Sequence, residues 1–405
     1  GVQTCALPIC PGGSGTLTGA TAIAGGSSHS VALKGDGTVW AWGYNGRGQL
    51  GLGSASALGS LSPASVTGMS DVSAIAAGQN HSLALKSDGT VWAWGSGWLG
   101  DGTTTGRRMP VQVVGPGGVG FLTGVTAIAG GTSHSLALKS DGTVWSWGRN
   151  NSGQIGDNSL TQRTIPVQVK DPAGTGFLSG VTAIAAGLYH VMALKSDGTV
   201  WGWGYNNDGE LGNGTSTSSS TPLPVQVAIA GVVSMTSGAY HVQALKSDGT
   251  VWGWGYNNIG QLGDGSTTPR LWPVPVAGVS GVSALAASNS GSYLVRTDGA
   301  VFSMGYDQDG QLGNGTVTTN STTTPVQAYL GSAQISLASS ANPVAPGAAV
   351  TLTASVTGSS PGGTVTFRDG AAVLATVPLS TGSAAFSTNQ LTEGVHRITA
   401  EYSGD

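Results

Sequence analysis

Charge is scarce in this chain, and thiols are scarcer. Lys, Arg, Asp and Glu make up 8% of its 405 residues, about a third of the ~25% usual in globular proteins. Fifteen basic and 19 acidic residues leave a formal net charge of −4. There is no basic stripe to neutralise phosphates, so nucleic-acid binding has no electrostatic support. Cysteine occurs only at Cys5 and Cys10, which excludes a disulfide-dense scaffold. No run of about 18 apolar residues is present, so no segment reads as a membrane-spanning helix. No segment of helical length carries an apolar period of about 3.6 residues, which argues against parallel sheets with helical crossovers. The N-terminus also lacks the basic start and apolar core of a signal peptide.

What is abundant is glycine, 69 residues, more than twice the usual ~7% and without a Gly-X-Y period. Much of it belongs to one repeated stretch, which is complete from His81 to Gly95. Leu83 and Leu85 alternate with smaller residues, Ser87-Asp88-Gly89 supplies turn chemistry, and Val91, Trp92 and Trp94 are strand formers. Near-copies begin at His29, His134, His190 and His241, with a decayed sixth copy from Ser292 to Gly305. The turn glycines Gly37, Gly89, Gly142, Gly198, Gly249 and Gly299 lie 50 to 56 residues apart. Each unit has four beats: a strand such as Val72–Ala77, a second from His81, a third from Thr90, and a fourth. The fourth is expected to start at a proline: Pro63, Pro110, Pro166, Pro224, Pro273 and Pro325. Four short strands per period of this length are the spacing of a β-propeller.

The pattern G-x-x-H-s-x-A-L-x-x-D-G-x-V-W-x-W-G-x-N-x-x-G-Q-L-G-x-G, visible at Tyr205–Gly214, Tyr256–Gly265 and Tyr306–Gly315, resembles the repeat of the regulator of chromosome condensation (RCC1) family, in its bacterial type. The resemblance covers residues 18–330 and implies an all-β propeller. It implies seven blades where six copies are visible, so six or seven blades are expected. Residues 1–17 match nothing downstream, and Gly1 to Cys10 look like a sequencing artefact. From residue 334 to 405 short alternating strands resemble a bacterial Ig-like (Big_3-like) sandwich, carried by Phe367–Gly370, Leu391–Ala400 and Tyr402–Asp405, and truncated at its C-terminus. The junction Leu330–Ala333 is short.

The repeated polar residues are expected to be structural. His29, His81, His134, His190 and His241 would each donate a ring N–H to backbone of their own or the next blade; the sixth copy places Ser292 in that slot. Asp36, Asp88, Asp141, Asp197, Asp248 and Asp298 precede the turn glycines and suit capping rather than calcium binding. Lys34, Lys86, Lys139, Lys195 and Lys246 read as solvated strand ends. The pairs Trp40/Trp42, Trp92/Trp94, Trp145/Trp147, Trp201/Trp203 and Trp252/Trp254 sit at i and i+2, on one strand face, and are expected between adjacent blades. Phe302 and Met304 replace them in the sixth copy. Trp98 and Trp272 break the repeat in loop regions without counterparts. With Tyr205 and Tyr256 they are the candidates for an exposed binding surface.

No catalytic motif is present: the Gly-Gln-Leu-Gly segments lack a phosphate loop's Lys-Ser/Thr, and there is no Gly-x-Ser-x-Gly elbow or His-Glu-x-x-His helix. The sequence therefore points to a non-enzymatic module without catalytic residues, metal or cofactor. It would bind an unknown protein or glycan as part of a secreted or cell-surface bacterial protein, monomeric within a longer modular chain. Alternatives are a secreted inhibitor of an enzyme, such as a β-lactamase inhibitor, a nucleotide exchange factor, or an enzyme acting on polysaccharide.

Overall fold

A computed structural model describes residues 16–53, 59–318, 321–328, 334–345, 347–357 and 363–403. Gly1 to Cys10, the junction at Leu330–Ala333 and the end of the Tyr402–Asp405 motif lie outside the described residues. The chain divides into two compact units, one of residues 1–312 and 317–328, the other of 313–316 and 329–405.

Among the described residues the first unit holds six four-stranded antiparallel meanders, each a blade with its strands in sequence order. In the second blade these are Val72–Ala77, His81–Lys86, Val91–Gly95 and Arg107–Gln112. Chemistry local to the hairpin fixes the turn between the middle strands. Gly89 takes φ +78° and its N–H reaches Lys86 O at 3.0 Å. Asp88 Oδ1 accepts from Thr90 N at 2.9 Å and from Thr90 Oγ1 at 2.6 Å. The same Asp–Thr clamp closes the turns at Asp36, Asp141, Asp197 and Asp248, which suits a turn residue.

The fourth strands begin before their prolines rather than at them. They span Ser60–Ser65, Arg107–Gln112, Arg163–Gln168, Thr217–Gln226, Arg270–Pro275 and Thr322–Gln327. Each is the outer edge of its sheet, paired on one side only, so a proline inside it sacrifices no ladder bond. Three of these strands open with an arginine that pairs with an aspartate six residues earlier: Arg107–Asp101, Arg163–Asp157 and Arg270–Asp264.

Successive blades pack through their inner strands. Val31, Leu33, Val39, Ala41, Leu50 and Val66 of the first blade form one apolar cluster with Ala84 and Trp94 of the second. Trp147, Trp203 and Trp254 fill the next three seams in the same way, and Met304 the fifth. In the second to fifth blades the second tryptophan of each pair is fully buried in its seam, and Trp92 and Trp145 pack against theirs from the first position. The first lies half-buried under a lysine, for instance Lys86 Nζ 5.2 Å from the Trp92 ring centroid and Lys246 Nζ 5.2 Å from that of Trp252. The repeated lysines are thus not simply solvated; they cap the outer indole through cation–π contacts.

Among the described residues no packed seam joins the sixth blade to the first. The first inner strand, Ala20–Gly25, is exposed along most of its length, with Ile23 37% accessible. On the sixth blade Val301 is 38% accessible, whereas Val39, Val91, Val144, Val200 and Val251 in the same slot are buried.

The second unit is a small sandwich. One sheet is formed by Gln334–Ser339, Val350–Thr357 and Ser383–Thr388, the other by Ala372–Pro378, Thr364–Asp369 and Ile398–Ser403. Val350, Leu352, Ala354, Val356, Val365 and Phe367 make its core. Asp369-Gly370 turns the hairpin between Thr364–Asp369 and Ala372–Pro378, with Gly370 at φ +54°.

Candidate functional site

The five histidines begin the second strand of their blades and are buried. Glycine just ahead of them is obligatory in packing terms: a Cβ on Gly78 would lie 2.1 Å from His81 Cε1 and 2.4 Å from Gly131 O of the next blade. The ring nitrogens meet the next blade's serine rather than backbone. His29 Nε2 lies 2.9 Å from Ser82 Oγ, His81 Nε2 3.0 Å from Ser135 Oγ, and His241 Nε2 2.9 Å from Ser292 Oγ. Ser82 Oγ and Ser292 Oγ in turn donate to Gln49 O and Gln261 O, both at 2.8 Å. Those hydroxyls therefore accept, and His29 and His241 carry their proton on Nε2.

At the two seams between, the serine slot holds Val191 and Val242, and neither ring nitrogen of His134 or His190 has a partner. Burial pushes His81 and His241 down to about 4 and His134 and His190 to about 3. All are neutral near pH 7, a structural state and not that of a general acid. In the sixth blade it is Gly291, not Ser292, that pairs with Gly305 as His29 pairs with Gly43. Ser292 fills the serine slot instead.

Of the four aromatic candidates, the structure brings two together. Tyr205 and Tyr256 each follow a positive-φ glycine of a third strand, Gly204 and Gly255, and each N–H bonds the carbonyl of the residue before the histidine: Tyr205 to Tyr189 at 2.9 Å, Tyr256 to Tyr240 at 2.8 Å. This places four tyrosines at one end of the fourth and fifth blades. Ring centroids are 6.3 Å apart for Tyr189–Tyr205, 6.2 Å for Tyr189–Tyr240, 5.7 Å for Tyr205–Tyr240 and 6.4 Å for Tyr240–Tyr256. Beside them opens a cleft of about 430 Å³ lined by Tyr205, Tyr240, Tyr256, Asp208, Leu188 and Ile259. Asn289 and Ser290 of the sixth blade also line it.

The cleft borders a departure from the repeat. Gln49, Gln154, Gln261 and Gln311 accept, through Oε1, a backbone N–H two residues earlier; the fourth blade has Glu210 there, and its Oε2 accepts from Asp208 N at 2.9 Å. Glu210 is buried and its Oε1 has no partner. Burial pushes the carboxyl up to about 7, and the nearby charge of Asp208 acts in the same direction. Burial and then the Glu210 and Asp208 carboxylates raise the Tyr205 phenol, and the same two carboxylates contribute to raising Tyr240. No lysine or arginine pairs with Asp208 or Glu210 among the described residues.

Trp98 and Trp272 are not part of this cleft. Trp98 has a counterpart after all. The second blade's loop is three residues shorter, and Trp98-Leu99-Gly100 aligns with Gln49-Leu50-Gly51: Gly51 packs on Trp94 as Gly100 packs on Trp147. Trp98 therefore stands in the glutamine slot, half-buried at φ +62°. Trp272 is 55% accessible on the fifth blade's outer strand and covers Gly214, where a Cβ would sit 1.9 Å from its Cζ2. Sequence reasoning overlooked Tyr189 and Tyr240. Their signal was a tyrosine before the repeated histidine in two consecutive blades, where the other copies have Ser28, Asn80 and Ser133.

Among the described residues no three His, Cys, Asp or Glu gather as a metal site, and no helix is long and apolar enough to cross a membrane.

Six four-stranded blades stacked by inner-strand seams define a β-propeller, here one whose repeated residues build seams and turns and not a reaction centre. The chain belongs to the RCC1-like domain family, whose model matches residues 6–352, and residues 336–405 match the bacterial Ig-like domain (group 3). Relatives include the ultraviolet-B receptor UVR8 of Arabidopsis thaliana, 28% identical over 62% of this chain and 56% of the receptor. The probable E3 ubiquitin-protein ligase HERC6 of Homo sapiens is 37% identical over 43% of this chain and 17% of the ligase. Human HERC2 is 32% identical over 64% of this chain and 5% of the ligase. The chain thus spans about half of one relative and a small part of the others. Yeast RCC1 (Prp20), solved bound to Kap60, superposes with a TM-score of 0.67 at 24% identity, over 78% of this chain and 77% of that one. Human WBSCR16 gives 0.66 at 23%, over 77% and 83%.

These relatives overturn the expectation of a bacterial protein secreted or held at a cell surface. They are plant, human and yeast proteins, among them ubiquitin ligases and a protein solved bound to Kap60. What the chain shares with them is a non-catalytic RCC1-type propeller of the protein-interaction kind.

Proposed function

We propose that this propeller binds a protein partner through the end of the fourth and fifth blades that carries Tyr189, Tyr205, Tyr240 and Tyr256. The observation that carries this reading is the contact of four tyrosines beside a cleft. Tyrosine supplies large, stiff contact area with a polar tip, the kind of side chain that concentrates binding energy at interfaces. Among the described residues the first three blades and the sixth carry no such cluster. Nucleotide exchange is not adopted as a reading, since the likeness to yeast RCC1 at 24% identity bears on fold alone.

The test is photo-crosslinking in extract with benzoylphenylalanine placed singly at Tyr205, Trp98 and Trp272. A defined protein adduct is expected from position 205 and absent from 98 and 272. Adducts arising only from 98 or 272, or none from 205, would reject this face.

A further inference from the structure

We infer that the cleft between the fourth and fifth blades is a receptor for an organic cation, the ammonium or guanidinium of a partner's Lys or Arg side chain. This rests on the reading of that end as the binding face and adds the chemistry it selects. Three observations converge. Tyr205, Tyr240 and Tyr256 line the cleft, with centroids 5.7 Å apart for Tyr205–Tyr240 and 6.4 Å for Tyr240–Tyr256, so three π systems, each with a negative face, border one space. A cation within about 6 Å of such rings is attracted by their quadrupoles, more strongly where water is excluded.

Asp208 lines the same cleft, and Glu210 stands close enough for its charge to act on Tyr205 and Tyr240. Neither carboxylate has a basic partner among the described residues. Asp101, Asp157 and Asp264, in the corresponding loops of other blades, each pair with an arginine. Finally, Glu210 replaces a glutamine that makes the same loop bond in four other blades, while burying an acid whose Oε1 is unpartnered. An uncompensated buried acid costs stability. A glutamine would serve the loop equally, so what the glutamate adds is negative charge beside the rings. Sites that lose stability through a strained or unpaired group are commonly the functional ones.

The cleft also has an apolar lining. Leu188, Ala239 and Ile259 would pack the methylene stem of a long side chain, which buries its hydrocarbon while presenting its charged head. The site thus fits a cation on an aliphatic stem rather than a free inorganic ion.

The probes are N-acetylated, C-amidated tripeptides of glycine flanking lysine, arginine or norleucine, titrated into the whole chain with ring-labelled tyrosine and followed by NMR. The lysine and arginine peptides are expected to shift the Tyr205, Tyr240 and Tyr256 signals saturably, while norleucine, with lysine's four-carbon stem and no charge, does not. Tyr240→Leu and Glu210→Gln should each weaken binding about tenfold, and Trp272→Ala should leave it unchanged. Glu210→Gln restores a residue already tolerated in that slot, so its folding is not at issue. Norleucine binding as tightly as lysine would sink the cation reading while leaving the face intact. Absence of saturable binding, or equal affinity in Glu210→Gln, would also overturn it. Failure of crosslinking at position 205 would instead remove the face itself.

Discussion

Trp203 and Trp42 occupy the same slot, one in the seam between the third and fourth blades and the other on the free face of the first. Trp203 is fully buried against Val169, Leu178 and Val144, and its Nε1 donates to Gln154 O at 3.0 Å. Trp42 is only half-buried and belongs to no core cluster. The inner strands differ in the same way: Val125 and Val181 are buried, whereas Ala20 in their slot is exposed. At the opposite end of the series, Val301 is uncovered where Val144 is sealed. The repeat dictates the blade, but burial belongs to the neighbour. An identical residue can carry several kcal/mol in one copy and little in another.

The sharpest way to break this comparison is to truncate both indoles. Trp203→Ala should cost about 3–5 kcal/mol, the usual loss for a buried large aromatic. Trp42→Ala should cost about 1 kcal/mol or less, because water already reaches it. Urea denaturation of the two variants measures the difference. Equal losses would mean that the first blade's face is covered in solution.

Acid should act next, and on the covered seams most. His81, His134, His190 and His241 have folded values near 3 to 4 against about 6.5 when unfolded. A depressed value means that the unfolded chain takes the proton first. The stability these groups allow is complete above pH 6.5 and is lost as pH falls toward 4, by about 3 kcal/mol for each ring. His134→Leu removes one such group at a seam where its nitrogens have no partner. Its loss of stability between pH 6.5 and 4 should be about 3 kcal/mol smaller than in the parent, with little change at pH 7.5. His81→Leu should show the same relief in acid, yet cost about 1–2 kcal/mol at pH 7.5 because Ser135 loses its partner.

Glu210 runs in the opposite direction. Its folded value is raised to about 7 from 4.5, so its neutral form is the comfortable one in the seam. The stability this allows is complete below pH 4.5 and is lost as pH rises through 7. Glu210→Gln should therefore stabilise the chain by about 2–3 kcal/mol at pH 8 and by almost nothing at pH 4.5. Thermal melts at the two pH values read this directly.

Much of the architecture was legible before any coordinates. Six hairpins of the form His81–Gly95 announced blades, and alternation from Val350 to Phe386 announced a sandwich. The reason is physical: the Asp88-Gly89 turn, the Trp92/Trp94 spacing and the glycine before each histidine are local or one-blade constraints, and each copy restates them. The fourth strands were misplaced because a proline marks where a ladder bond is missing, not where pairing begins; the ladder at Arg107 precedes Pro110. Trp98 seemed to lack a counterpart because a shortened loop hid its alignment with Gln49. The lysines seemed solvated because nothing in their spacing reports that Lys86 lies over Trp92. The candidate site was half legible. Tyr205 and Tyr256 stood out within the repeat, but Tyr189 and Tyr240 precede the histidines and join them only across two blades. Contacts between copies are set by the radial order of the blades, on which the residues within one copy are silent.

The valine-backed seams allow a smaller and cleaner comparison. Where a serine follows in the next blade, His29 and His241 donate from Nε2 and the hydroxyl passes its own proton to Gln49 O or Gln261 O. Where Val191 follows, His134 keeps both buried nitrogens without a partner. Val191→Ser should rebuild the first arrangement in the third seam, since Ser82 and Ser135 occupy that slot with the same strand pairing. The gain of a hydrogen bond to a buried ring, about 0.5–1.5 kcal/mol, is offset by the loss of buried methyl groups from an apolar cluster that includes Val191, about 1 kcal/mol. The net change should be within about 1 kcal/mol of zero. The ring itself should respond clearly: its slow-exchanging Nε2 proton should appear in the imidazole NMR spectrum beside those of His29 and His241. If His134 stays without a bonded proton in that variant, the serine slot does not select the tautomer. The order seen at the other seams would then have to come from backbone around the rings.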